Sequence, residues 1–190
     1  MENTKVLTQY VDDFIGMLKN LDLSSITKLA DILIAARDNN AFIYLIGNGG
    51  SASTASHWAS DLNKGLSFKR DKKFKAICLN DNIPGITAYA NDEDYSIAFM
   101  ELGKNFFRPE DVLIGISGSG SSKNLLNTFE YAGEIGMTRV AVTGYPEAKL
   151  KGMAEHVVSA EIRDMQIAED FHLILDHMLF KEILDREPER

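Results

Sequence analysis

Residues 41–65 read AFIYLIGNGGSASTASHWASDLNKG, and their order decides the fold. An apolar run, FIYLI, stops at a loop of glycine and serine. A histidine and an aspartate then follow four residues apart, His57 and Asp61. A β-rich run that ends in a small-residue loop and restarts with helical character is the beginning of a βα unit. Glycine loses more conformational freedom on folding than any other residue, so a loop this rich in it implies a compensating contact.

Four further runs repeat the pattern: KAICL (75–79), DVLIGI (111–116), RVAVTG (139–144) and, more weakly, HVVSA (156–160). The first strand is expected over 41–46. Apolar on both faces, these runs predict buried parallel strands. Helical periodicity covers 3–20, with Val11, Phe14, Ile15 and Leu18 in one stripe, and 24–38, with Ile26, Leu29, Ile32 and Leu33 in another. Ser24 or Ser25 is the expected N-cap of the second. Further helices are expected at 51–64, 84–90, 94–107, 122–135, 147–152 and 165–186. Strands alternating with helices predict an α/β fold, a parallel sheet covered on both faces. One domain is expected over 1–190, the helical pair of 1–40 being part of it, and the terminal REPER is expected to fray.

Composition narrows the function. With 190 residues, 45% hydrophobic and 25% charged, the chain fits a soluble globular domain. A net charge of −8 argues against a general nucleic-acid binder. A single cysteine, Cys78, excludes an intrachain disulfide and fits a reducing cytosol. The N-terminus has no apolar core of a signal peptide, and no run approaches a membrane span. The expected setting is the cytoplasm, with no nucleic-acid or membrane partner.

Two loops carry the chemistry. IGNGGSAS (46–53) and GISGSGSS (115–122) both lie where a strand ends and a helix begins. Open parallel sheets bind ligands beyond the carboxyl ends of their strands, where both loops would sit. Free N–H groups at a helix start, backed by the helix dipole, attract anions. Neither loop ends in the Lys-Ser/Thr of a nucleotide P-loop, and neither is a GxGxxG followed by a ribose-binding acid. A phosphate on something other than a nucleotide is the better reading.

His57 and Asp61 share a helix face, and Glu169, His172, Asp176 and His177 form an arc on the last helix. Two compatible readings follow. A carboxylate and an imidazole can exchange protons beside a carbonyl; the same groups can hold a divalent ion.

Together, GNGGSAxxASH with its following carboxylate, ANDxxY, GISxSGxSxNLL and the closing ExxHLxxxH resemble the sugar isomerase (SIS) domain, most of all its phosphoheptose isomerases. The resemblance spans nearly the whole chain. It implies a flavodoxin-like, three-layer α/β/α fold with a five-stranded parallel sheet. It also implies a homotetramer with active sites at subunit interfaces, acting on a phosphorylated sugar: sedoheptulose 7-phosphate to D-glycero-D-manno-heptose 7-phosphate. Carried over by motif, Asn48, Gly49, Gly50, Ser51, Asp92, Ser117, Gly118, Ser119, Ser122 and Glu169 bind substrate, and Asp61 and His177 are catalytic. The implied zinc ligands are His57, Asp61, Glu169 and His177. The chain departs from the pattern at Asp61, where the family has glutamate, at Glu169 for glutamine, at Gly118 for threonine, and at Lys64–Gly65, where an arginine is common. The same resemblance extends to isomerases of other ketose phosphates, to sugar-phosphate sensors, and to non-catalytic tetramers that bind the replication initiator. Those tetramers tend to lack the closing histidine, which His177 retains. KGLSFKRDKKFK (64–75) reads as a solvated loop, or as a basic stretch that draws in an anion. Tyr89, Tyr95, Phe106 and Phe107 read as core or subunit contacts.

Overall fold

The computed structural model describes residues 4–186. In chain order the regular helices and strands are α1 (Lys5–Lys19), α2 (Leu23–Asp38), β1 (Ile43–Gly47), α3 (Gly50–Ser60), β2 (Ala76–Cys78), α4 (Ile83–Asp92), α5 (Ala98–Lys104), β3 (Val112–Ser117), α6 (Lys123–Glu134), β4 (Thr138–Thr143), β5 (His156–Ser159) and α7 (Met165–Arg186). All five expected strands form, and they pair in parallel in the order β2-β1-β3-β4-β5. This is the flavodoxin-like order, in which growth of the sheet reverses between β1 and β3.

Alternate residues of each strand feed two cores. Ile43 and Leu45 of β1, Ile114 and Ile116 of β3, and Val140 and Val142 of β4 face α2, α3 and α7. Tyr44, Ile46, Leu113 and Ala141 face the other way, against Phe99, Leu125, Phe129 and Leu150. α3 and α6 therefore leave the two neighbouring central strands toward opposite faces of the sheet.

Several boundaries differ from the sequence reading. Asp22, not Ser24 or Ser25, caps α2, its carboxylate accepting from the Ser24 N–H at 3.0 Å. The helix expected at 147–152 is a 3₁₀ segment, Lys149–Met153, too short to close α-helical hydrogen bonds along its length. The helix expected at 94–107 divides into a 3₁₀ turn, Tyr95–Ile97, and α5. α3 does not simply end: Asp61–Gly65 continues it as a π-helical turn. The first residue of the 3–20 helix and all of REPER but Arg186, which closes α7, lie outside the described residues. Among the described residues, no helix is long and apolar enough to cross a membrane.

α7 is the longest element and is packed against α2 and α3. Its His172 is fully buried, and neither ring nitrogen has a hydrogen-bond partner among the described residues. Burial holds its pKa down at about 4. The residue's carbonyl does have a partner, accepting from the Trp58 indole N–H at 3.2 Å. As pH falls, the unfolded chain protonates this imidazole near its ordinary 6.5, whereas the folded chain refuses the proton until about 4. Stability is therefore lost between those values, on the order of 3 kcal/mol from this one group. His172→Leu should remove that acid limb while leaving the neutral-pH fold intact; urea unfolding at pH 4.5, 5.5 and 7 measures it. Parallel pH profiles for the two proteins would contradict the assignment.

Candidate active site

The first loop is built on two glycines. A Cβ at Gly47 would meet the Ser51 backbone at 2.6–2.7 Å, so only glycine lets the chain fold back so tightly. Gly49 adopts φ +57°, a conformation side chains rarely accept. Asn80 pins the end of β1: its amide donates to the Gly47 carbonyl at 2.8 Å and accepts from the Gly47 N–H at 3.1 Å.

The loops are tied together by side chains. The Asn48 amide donates to Asn124 Oδ1, and the Asn124 amide donates back to Asn48 Oδ1, both at 2.9 Å. Asn124 is buried on the first turn of α6. The Tyr95 hydroxyl also donates to Asn48 Oδ1, at 2.6 Å. Tyr95, 44% exposed, is therefore tied to this loop rather than packed in the core. Of the other aromatics so read, Phe107 is in the core and Phe106 is exposed.

Around this tie lie Ser51, which is buried, and the second loop. Ser117 Oγ accepts from the Gly120 N–H at 3.0 Å, Ser119 Oγ accepts from the Ser121 N–H at 3.4 Å, and Gly118 packs under Met165. Ser122 stands at the N-cap position of α6 without a side-chain cap bond, and α3 also starts uncapped, at Gly49. By contrast α2 and α4 are capped by Asp22 and Asn82. The two helices beginning at the switch point thus keep N–H groups open to an anion. They are not equivalent, because the Glu169 carboxylate packs directly over Gly50, the first residue of α3. Its negative charge already faces the positive end of that helix. Asp92 ends α4 exposed, its carboxylate accepting from Asn91 at 2.8 Å.

The predicted site residues separate into two groups. α3 runs back against the direction of β1, so Asp61, eleven residues past Gly50, emerges about 16 Å along the helix axis. There Asn63, in the π-helical turn, grips Ala76 at the start of β2, donating to its carbonyl at 2.7 Å and accepting from its N–H at 2.9 Å. Asp61 thus lies by the edge where the strands begin. The loops occupy the other edge.

At the Asp61 end, one group of side chains converges: His57, Asp61, Asp176 and His177 each offer a ligand atom within 4.8 Å of the others. His57 Nε2 lies 3.6 Å from Asp61 Oδ2 and 3.7 Å from Asp176 Oδ2, and its ring meets His177 edge-on at 5.4 Å between centroids. Asp176 is 4% exposed, and its Oδ2 has no hydrogen-bond partner among the described residues. Burial pushes its carboxyl up to about 8, and the neighbouring Asp61 charge adds to the rise. Two imidazoles and two carboxylates, one with an orphaned buried oxygen, are a donor set that suits a divalent ion. Glu169 is not among them. Of the arc read on the last helix, Glu169 faces the loops, His172 enters the core, and Asp176 and His177 reach the cluster.

Comparison with known proteins identifies the family. The SIS domain model matches residues 9–144. The probable phosphoheptose isomerase of Thermoplasma acidophilum is 33% identical over 171 residues, 90% of this chain and 93% of its own. The phosphoheptose isomerase of Helicobacter pylori is 35% identical over 148 residues, 78% of this chain and 77% of its own. The solved phosphoheptose isomerase of Francisella tularensis superposes with a TM-score of 0.87 at 24% identity, covering 96% of this chain and 98% of that one. The chain belongs to the SIS-domain family, and within it to the branch of aldose–ketose isomerases most like the phosphoheptose isomerases.

Proposed function

We propose that this protein, acting as one SIS domain, interconverts sedoheptulose 7-phosphate and D-glycero-D-manno-heptose 7-phosphate. The observation that carries the reading is the pair of helix starts without side-chain caps at the switch point, the one at α6 left open, together with a cluster of carboxylates and imidazoles at the far end of α3. With Glu169 holding the start of α3, the phosphate belongs at the start of α6, where Ser119, Ser122 and backbone N–H groups would donate to it. Binding energy gained there, remote from the reacting carbons, would hold them in place.

The isomerisation shifts a proton between adjacent carbons through an enediol. Asp61 takes the proton from the carbon beside the carbonyl and returns it to its neighbour, while His177 exchanges the proton on oxygen. His57, Asp61 and His177 would contribute to holding a zinc ion, which when bound supplies positive charge beside the oxygen that becomes negative. The aspartate at position 61 is one methylene shorter than the family's glutamate, and Gly118 lacks a hydroxyl. Both differences favour, as a second reading, an isomerase of another ketose phosphate.

The separation of loops and cluster bears on assembly. Asp61 lies about 16 Å along α3 from the loop of its own chain, farther than one sugar phosphate reaches comfortably. A homotetramer that sets the loops of one copy against Asp61 and His177 of another would complete each site. α1 carries an apolar face suited to such a contact, with Val6 80%, Leu7 66%, Val11 53% and Ile15 43% exposed. The buried free thiol of Cys78 fits a cytosolic setting.

Light scattering on the purified chain should give four times the chain mass; a monomer at micromolar concentration would contradict the shared site. Turnover of sedoheptulose 7-phosphate, followed by product separation, tests the activity itself. Asp61→Asn and His177→Ala should each lower kcat by about a hundredfold or more, with a smaller change in KM. Unchanged kcat in both variants would remove these residues from the chemistry.

A further inference from the structure

α3 and α7 lie side by side and run the same way. Glu169 covers Gly50 at the head of α3, the Trp58 indole bonds the His172 carbonyl midway, and Phe180 packs on Gly65 past the tail. Position along one helix therefore fixes position along the other. Glu169 precedes Asp176 by seven residues, about 10 Å of helix, so the two carboxylates of one α7 serve opposite ends of α3.

The resemblance to the family implies metal ligands at His57, Asp61, Glu169 and His177, so that the carboxylate supplied by α7 would be Glu169. We propose instead that Asp176 completes the metal site in this protein, giving a His57–Asp61–Asp176–His177 centre held by one chain and leaving Glu169 to the substrate loops. The inference deepens the isomerase reading of the same site and rests on it for the role of the metal.

Three observations carry it. Asp176 shares the 4.8 Å cluster, and Glu169 does not. Asp176 Oδ2 is buried, has no hydrogen-bond partner among the described residues, and points to His57 Nε2 at 3.7 Å. A buried carboxylate oxygen left without a partner is costly, and a cation bound beside it removes that cost. Finally, two aspartates with two neutral imidazoles balance the charge of a divalent ion, a match for zinc in both charge and ligand type. The shorter reach of Asp61, relative to the family's glutamate, is answered by a second carboxylate on the facing helix.

The test is zinc binding to the full-length protein, measured by competition with a chromophoric chelator. Cobalt(II) substitution reports the ligand set by its visible d–d absorption. Asp176→Asn, nearly the same shape, should weaken zinc at least tenfold and change the cobalt spectrum, while Glu169→Gln should bind zinc within twofold of wild type. The far-ultraviolet circular dichroism of both variants, and the melting temperature with and without zinc, separate loss of the ligand from loss of the fold; zinc should raise the melting temperature of Glu169→Gln and not of Asp176→Asn. If Asp176→Asn fails to fold, Asp176→Glu serves in its place, and an unaltered cobalt spectrum there overturns the proposal. Loss of zinc in Glu169→Gln with retention in Asp176→Asn overturns it, and assigns the ligand to a Glu169 of another copy. Wild-type protein that binds no zinc also overturns it. Turnover of sedoheptulose 7-phosphate, measured separately, tells whether the isomerase reading survives in each case.

Discussion

β1 and β3 lie side by side in the sheet, yet the helices that follow them depart to opposite faces. Where they part, the chain leaves two helix starts without side-chain caps, and the reciprocal amide pair of Asn48 and Asn124 bridges the loops that lead into them. Each amide satisfies the other, so neither the buried Asn124 nor the half-buried Asn48 is left to pull the loops toward a different partner. Asn80 performs the same service one residue earlier, gripping both polar groups of Gly47. Without these ties the Gly/Ser loops would hold too much entropy to present a fixed set of donors. The proposed anion site thus depends on three asparagines as much as on the serines.

The same geometry explains why the cluster of His57, Asp61, Asp176 and His177 lies elsewhere. A helix that follows a parallel strand must run back along the sheet, so whatever its last turn carries arrives at the opposite edge. Asp61 sits where α3 loosens into a π-helical turn, and such turns often accompany functional sites. α7 then acts as a measured bar beside α3. One acid lies in its first turns, an imidazole is buried about one turn further on, and an aspartate and a histidine stand at its middle. The buried members are expensive: His172 is orphaned outright, and Asp176 has one oxygen without a hydrogen-bond partner among the described residues. The first cost has no compensation among the described residues, whereas the proposed metal ion would answer the second.

Much of this was legible beforehand. The five strands, both loops and the pairing of His57 with Asp61 follow from period and spacing, which depend on local sequence alone. Strand order came through the family resemblance, because parallel register is not written in any one strand. What stayed hidden was tertiary. Asp176 and Glu169 are equally acidic in sequence, and only the packing of α7 on α3 decides which end each one serves. Tyr95 reads as an ordinary aromatic until its hydroxyl is seen on Asn48, although ANDEDY flagged the segment. Asn124 lay inside the quoted NLL motif, but nothing local distinguishes an asparagine that ties two loops from one that faces solvent. The cap of α2 lies two or three residues before the expected Ser24 or Ser25, since Asp22 and the serines after it are all good caps and only backbone angles choose among them.

A crystal structure with sedoheptulose 7-phosphate bound would test most directly whether the switch-point loops and the distant cluster form one site. The expected result is a phosphate at the start of α6, within hydrogen-bond distance of Ser119 and Ser122. The first two carbons of the sugar should then lie against Asp61 and His177 of a neighbouring copy. A phosphate bound away from the Ser117–Ser122 loop, or a sugar whose reacting carbons meet neither Asp61 nor His177, would contradict it.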